Sequence, residues 1–142
     1  MRIGKTQVDA ILAHALRGYP FEVCGVLLGR ASDGASVTRV VEVANRETKS
    51  PRVRYQIAPE DLLRVQDVGR NEGLEVLGYY HTHPDHPARP SETDRRIAAE
   101  GLSDGVFHLV VGVSAGVEAT PAGFVFRDTS QAFTEVPLEV VP

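Results

Sequence analysis

The sequence predicts one mixed α/β or α+β domain over residues 1–142, a central β-sheet flanked by helices. Two observations predict it. Segments with helical spacing alternate with short apolar, β-branched runs along the chain. No repeat, low-complexity tract or linker divides the chain, and 142 residues suit one core.

The elements follow in order. Thr6 to Arg17, TQVDAILAHALR, sets Val8, Ile11, Leu12, Ala15 and Leu16 on one helical face, with Thr6 as N-cap and Gly18 and Pro20 as the stop. Val23 to Leu28, VCGVLL, is an unbroken apolar run closed by Gly29, the pattern of a strand buried on both faces. Ala31 to Ser36 reads as a turn, Val37 to Val43 as a second strand, and Asn45 to Pro51 as a polar loop. Val53 to Ile57 predicts a short strand. Pro59 to Glu72 predicts a helix, because Pro59 suits the first position, Glu60 and Asp61 suit the positive dipole end, and Gly73 closes it. Leu62, Leu63, Val65, Gln66 and Val68 give it a mostly apolar stripe. Leu74 to His83 reads as a strand, Ser91 to Glu100 as a helix stopped by Gly101, and Val106 to Val113 as the strongest strand. Phe124 to Phe126 with Ala132 to Val141 predicts a closing hairpin.

Composition narrows the function. A chain of this length buries most of its apolar surface without disulfides or a structural metal, so a metal here is expected to do chemistry. A net charge of -4 with interspersed arginines and acids argues against a basic nucleic-acid face. Cys24 is the lone cysteine, so no internal disulfide forms, which fits a reducing compartment. The N-terminus lacks the apolar core of a signal peptide, and charges interrupt every apolar run before the roughly 20 residues a membrane span needs. The expectation is a soluble, cytoplasmic domain, and its strong edge strands make a homodimer the candidate assembly.

The chemistry concentrates in Gly78 to Asp94, GYYHTHPDHPARPSETD. His81 and His83 stand two apart on a strand, so both imidazoles leave the same face, with Cα atoms about 6.7 Å apart. Imidazoles at that spacing converge on one cation at about 2.0–2.1 Å from each nitrogen. Pro84, Pro87 and Pro90 stiffen a short excursion, and Ser91 then starts a helix with Asp94 three residues on. Taken alone, Ser91 and Asp94 fit a capping box that satisfies orphan amides. Taken with the histidines, Asp94 is offered as a third ligand. Two His and one Asp leave a fourth position for water, and zinc lowers the pKa of such a water toward about 7. That chemistry is metal-assisted hydrolysis and needs a general base. Glu22, Glu42, Glu47, Glu75 and Glu92 are all formal candidates on spacing alone. The absence of His-Glu-x-x-His excludes the thermolysin-like motif class.

HTHPDHPARPSETD resembles the signature of the JAMM (MPN+) metalloprotease family: His-x-His-Pro, a short loop, then Pro-Ser-x-x-Asp. YPFEVCGVLLGR, VRYQIAPEDLLRVQ, EVLGYYHTHP and FHLVVGVS are similar to neighbouring segments of compact prokaryotic members, so the resemblance covers residues 3–127. It implies a mostly antiparallel, curved sheet of the MPN or cytidine-deaminase-like kind. It implies His81, His83 and Asp94 as ligands of Zn2+, Glu22 as the base acting on a zinc-bound water, and Ser91 as a hydroxyl that holds the oxyanion. The implied substrate is the amide or isopeptide bond after the C-terminal Gly-Gly of a ubiquitin-like or sulfur-carrier protein. The rival readings are a non-catalytic MPN-fold interaction scaffold, and a zinc peptidase acting on a small peptide or amino-acid adduct. Such scaffolds usually lose ligands, whereas all five residues are present here.

The other titratable groups have plainer readings. His86 is a loop histidine, with substrate contact as the alternative. His108 reads as a satisfied core histidine, and His14 as lying on a helix surface or edge. Cys24 reads as a small buried apolar residue, the alternative being a place near the metal. Arg52 and Arg89 read as solvated, the alternative being contact with a substrate carboxylate or an acidic modifier.

Overall fold

Side chains alternate across a strand, and in this chain the two sets go to different helices. The computed structural model describes residues 1–101 and 103–142. In chain order they form β1 (Arg2–Gly4), α1 (Lys5–Gly18), β2 (Cys24–Arg30), β3 (Ser36–Val43), α2 (Pro59–Asn71), β4 (Glu75–Pro84), α3 (Glu92–Glu100), β5 (Phe107–Ser114), β6 (Glu118–Arg127), β7 (Ala132–Val136) and β8 (Glu139–Val141). Leu27, Tyr80, Leu109 and Val111 point to one face and pack on Val8, Ile11 and Ala15 of α1. Cys24, Val26 and Leu28 point to the other and pack on Val65 of α2, with Tyr55 and Ile57 of the preceding loop beside them. The α+β class expected from the sequence is the one observed.

The strands form one sheet in the order β7-β6-β5-β4-β2-β3-β1-β8. Four of its pairings are antiparallel, and β1–β3, β1–β8 and β4–β5 are parallel. The two edge strands, β7 and β8, are joined only by Pro137 and Leu138. Edges so tethered require the sheet to curl, as the curved-sheet expectation had it.

Four local expectations are corrected. The helix expected to be capped by Thr6 starts at Lys5 with Gly4 as N-cap and no side-chain cap, because β1 runs straight into it. Three residues are too few for β1 to show periodicity. Val53 to Ile57 is not a strand. That segment packs Tyr55 and Ile57 on the sheet face that α2 covers and is tied by Asn45, whose Oδ1 accepts from Gln56 N at 3.0 Å. The closing hairpin is β6 with β7 only, and the residues after Pro137 pair with β1 on the opposite edge. Leu63 is exposed rather than part of the buried stripe, which runs through Asp61, Val65 and Gly69. Asp61 is buried because Arg46 grips it with two bonds, 2.9 and 3.2 Å, and Arg64 adds a third contact at 3.1 Å. These contacts hold its carboxyl below the usual range.

Candidate active site

The histidine strand β4 lies between two neighbours, antiparallel to β2 and parallel to β5, so its backbone is held on both edges. His81 pairs with Cys24 in β2 and with Val110 in β5. Two more steps of the β2 register set Glu22 alongside His83. Thr82 N donates to Val23 O at 3.0 Å, and Val23 N donates to Thr82 Oγ1 at 2.9 Å, extending the pairing to that point. Glu22 is fixed further by Asn45 Nδ2, which donates to its carbonyl at 3.0 Å. Glu22, His81 and His83 are all buried and each offers a ligand atom within 4.8 Å of the others.

Asp94 arrives from α3. Ser91 is the N-cap, and the capping box is complete: Asp94 N donates to Ser91 Oγ at 3.1 Å, and Ser91 N donates to Asp94 Oδ2 at 2.8 Å. The same Oδ2 lies 3.1 Å from His81 Nε2 and 3.2 Å from His83 Nε2, and the two nitrogens are 3.1 Å apart. The capping and ligand readings of Asp94 are therefore one geometry.

This triangle fits a tetrahedral cation. Ligand bonds of about 2.0–2.1 Å at the tetrahedral angle put donor atoms about 3.3–3.4 Å apart, close to the spacing observed. The ring orientation fits as well. His83 Nδ1 donates to the Pro87 carbonyl at 3.1 Å, which turns its Nε2 toward the triangle, as a hydrogen bond behind a ligand should. Tyr55 stacks on His81 with centroids 4.5 Å apart and planes 19° apart, locking that ring. Two imidazole nitrogens and a carboxylate oxygen are a donor set that zinc takes.

The electrostatics divide the two carboxylates. Burial pushes Glu22 up to about 8, partly opposed by His83 and reinforced by Asp94. Asp94 also loses water, but its contacts with His81 and His83 outweigh burial and hold it far below the usual carboxylate range. Burial pulls His81 down; for His83 burial is again the largest single effect, but the hydrogen bond and charge of Asp94, the Pro87 carbonyl and Glu22 together outweigh it, and His83 ends raised. One carboxylate is thus a standing anion against the imidazoles, and the other readily holds a proton.

Residues 5–127 match the family of prokaryotic homologs of the JAB domain. The chain belongs to that family. The match covers almost the stretch on which the sequence resemblance rests. This JAB homologue is 40% identical over 95 residues to the desampylase of Haloferax volcanii, covering 64% of this chain and 67% of that protein. It is 39% identical over 82 residues to a probable TtuB-protein conjugate cleaving protease of Thermus thermophilus, covering 58% and 52%. It thus spans about half to two thirds of the length of these relatives. The solution structure of DSY2949 from Desulfitobacterium hafniense superimposes with a TM-score of 0.83 at 28% identity, covering 99% of this JAB homologue and 92% of that chain.

The other expected residues sort as follows. Cys24 is a buried core residue beside Val43, with Sγ 3.7 Å from its carbonyl, and burial pushes its thiol up to about 12; it pairs with His81 across the strands, next to the donor triangle, but is not one of the clustered ligand-bearing residues Glu22, His81 and His83. His14 is less exposed than a helix-surface reading predicts, with Nδ1 2.7 Å from Tyr80 Oη. His108 is buried as expected, lines the cavity beside α3, and its Nε2 has no protein partner among the described residues. Sequence reasoning missed Tyr55, Asn45 and the Pro87 carbonyl. No local signal marks Tyr55, because it meets His81 only through the folding of the loop. Among the described residues no helix is long and apolar enough to cross a membrane.

Proposed function

We propose that this chain is a zinc-dependent hydrolase of the amide or isopeptide bond after the C-terminal Gly-Gly of a ubiquitin-like or sulfur-carrier protein, acting in the cytoplasm. The observation that carries it is the triangle of His81 Nε2, His83 Nε2 and Asp94 Oδ2 with buried Glu22 beside it. The relative from Thermus thermophilus, whose name is that of a conjugate-cleaving protease, supports the substrate class.

In this reading His81, His83 and Asp94 hold the ion. A zinc ion held there supplies Lewis acidity toward the substrate carbonyl and lowers the pKa of water. Glu22 takes a proton from the attacking water and returns it to the departing amine. Its buried position suits that task, because burial leaves the protonated and ionised forms close in energy near neutral pH. Ser91 Oγ accepts from Asp94 N, and its own O–H remains free to donate to the developing oxyanion. The substrate tail runs through a cavity of about 500 Å³ between the 53–57 segment and α3, walled by Tyr55, Ile57, Leu62 and Ile97. The free edges of β7 and β8 are the candidate surfaces for pairing two copies, which sedimentation would reveal.

The test is cleavage of a Gly-Gly-tailed modifier joined to a second protein, read on a gel. Zinc-loaded protein separates the two parts at the junction, and Glu22→Gln leaves them joined. Intact conjugate with every Gly-Gly-tailed modifier tried would remove this reading.

A further inference from the structure

Glu22 and His83 come from different parts of the chain, and two ties bracket the place where they meet. The first is the reciprocal pair of bonds between Val23 and Thr82, one residue after Glu22 and one before His83. The second lies on the other side. Tyr19, three residues before Glu22, donates from Oη to Asp85 Oδ2 at 2.7 Å, and Asp85 stands two residues after His83. Segments 19–23 and 82–85 are thus joined at both ends, with Glu22 on one and His83 on the other.

Asp85 is itself anchored. Its N–H donates to Val113 O at 2.6 Å, and its Oδ1 accepts from Ala115 N at 2.8 Å. These bonds hold it to the end of β5 and to the turn that follows. Its φ is +58°, in the left-handed region, which Asp and Asn enter more readily than other side chains. The same turn supports Tyr19. A Cβ at Gly116, where φ is +73°, would stand 2.8 Å from Tyr19 Cδ1 and 3.1 Å from Cε1, so the ring rests on bare backbone. The turn, Asp85 and Tyr19 form one junction, and none of its members belongs to the donor triangle.

The Tyr19–Asp85 bond reaches solvent, so water competes for both partners and the bond contributes little to stability. Position is more sensitive. A proton carrier must come within hydrogen-bond reach of the atoms it serves, and a misplacement of about 1 Å costs on the order of a hundredfold in rate. The backbone of Glu22 makes two other bonds, from its N–H to Pro51 O at 2.7 Å and from Asn45 Nδ2 to its carbonyl at 3.0 Å. Both tie it to the loop after β3, not to the histidine strand. Among the described residues the Tyr19–Asp85 bond is the hydrogen bond that joins the residues ahead of Glu22 to the loop after His83.

We infer that Tyr19 and Asp85 are positioning residues for the hydrolysis, and that the bond between them sets the Glu22 carboxylate beside His83. The inference rests on the hydrolase reading and on Glu22 as proton carrier.

Three variants test it. Tyr19→Phe removes the hydroxyl and keeps the ring on Gly116. Asp85→Gly removes both carboxylate bonds and takes the positive φ without strain. Asp85→Asn keeps the junction, because Oδ1 can accept from Ala115 N while Nδ2 donates to Tyr19 Oη. On metal-free protein, amide hydrogen exchange at Glu22 and Val23 is followed by NMR. On zinc-loaded protein, cleavage of a Gly-Gly-tailed modifier conjugate is followed together with zinc content and the denaturant midpoint. Tyr19→Phe and Asp85→Gly are expected to speed exchange at Glu22 and Val23 and to lower kcat about ten- to a hundredfold, with KM near that of the parent. Tyr19→Phe keeps its zinc and nearly its full denaturant midpoint, and Asp85→Asn restores most of the lost kcat. Unchanged exchange at Glu22 and Val23 would overturn the inference, as would unchanged kcat in Tyr19→Phe and Asp85→Gly. Loss of zinc from Tyr19→Phe in step with kcat would also overturn it, by placing the effect on the histidines. In each of these cases a parent protein that cuts the conjugate leaves the hydrolase reading standing. A parent protein that cuts no conjugate would instead remove the hydrolase reading, and the inference with it.

Discussion

Asp94 Oδ2 lies 3.1 Å from His81 Nε2 across thirteen positions of sequence and a loop containing two prolines, Pro87 and Pro90. The same oxygen accepts from Ser91 N at 2.8 Å. One atom thus closes the helix cap and faces both imidazoles, so the start of α3 and the donor triangle are built together. Any change that frays this helix start also moves Asp94 Oδ2 relative to both imidazoles.

On the proposed mechanism Glu22→Gln removes the proton carrier and leaves the donor triangle. It is expected to retain zinc at the level of the parent protein and to lose turnover. Near-full activity in this variant, with metal content measured alongside, would show that Glu22 is not the base.

Ser91→Ala separates two roles. Loss of the cap costs about 1 kcal/mol of stability, read by denaturant unfolding. Loss of an oxyanion donor lowers kcat by roughly ten- to a thousandfold. A variant that is destabilised but unchanged in kcat would leave Ser91 with its capping role alone.

Gly112→Ala probes the loop that joins the histidines to α3. The added Cβ would meet backbone atoms of His86 and Ala88 at 2.8 and 3.0 Å, and backbone yields less readily than a side-chain tip. The loop must lift, which shifts the Pro87 carbonyl behind His83. Weaker zinc binding with a preserved far-ultraviolet circular dichroism spectrum is expected. Unchanged zinc affinity would show that the loop adjusts without moving His83.

The order of the site was legible in the sequence, because His81, His83, Ser91 and Asp94 lie in one stretch where strand and helix periods fix their faces. The parallel neighbour of β4 was not, because pairing partners are set by tertiary packing. The place of β8 was hidden for the same reason. It follows β7 after two residues but pairs with β1 on the far edge. Val53 to Ile57 has strand composition yet finds no strand edge, and its ties to Asn45 leave Tyr55 free to stack on His81. Contacts of that kind leave no periodic trace.

His108 gives a pH dependence. Burial in the β5 core pulls its imidazole down to about 4, whereas the unfolded chain has an ordinary value near 6.5. The unfolded state therefore binds a proton first as pH falls. The stability from this residue is fully present above about pH 6.5 and is lost as pH drops toward 4. Denaturant unfolding at a series of pH values should show this decline, and His108→Asn should flatten it. An unchanged slope in the variant would assign the decline to other groups.

The most direct measurement is the metal content of tag-free protein by mass spectrometry, with Asp94→Ala prepared in parallel and its fold checked by circular dichroism. About one zinc per chain in the parent protein, lost in a folded Asp94→Ala, is the expected result for a site of two imidazoles and one carboxylate. A parent protein that takes up no zinc even after reconstitution, or an Asp94→Ala variant that binds it equally well, would contradict the three-ligand site.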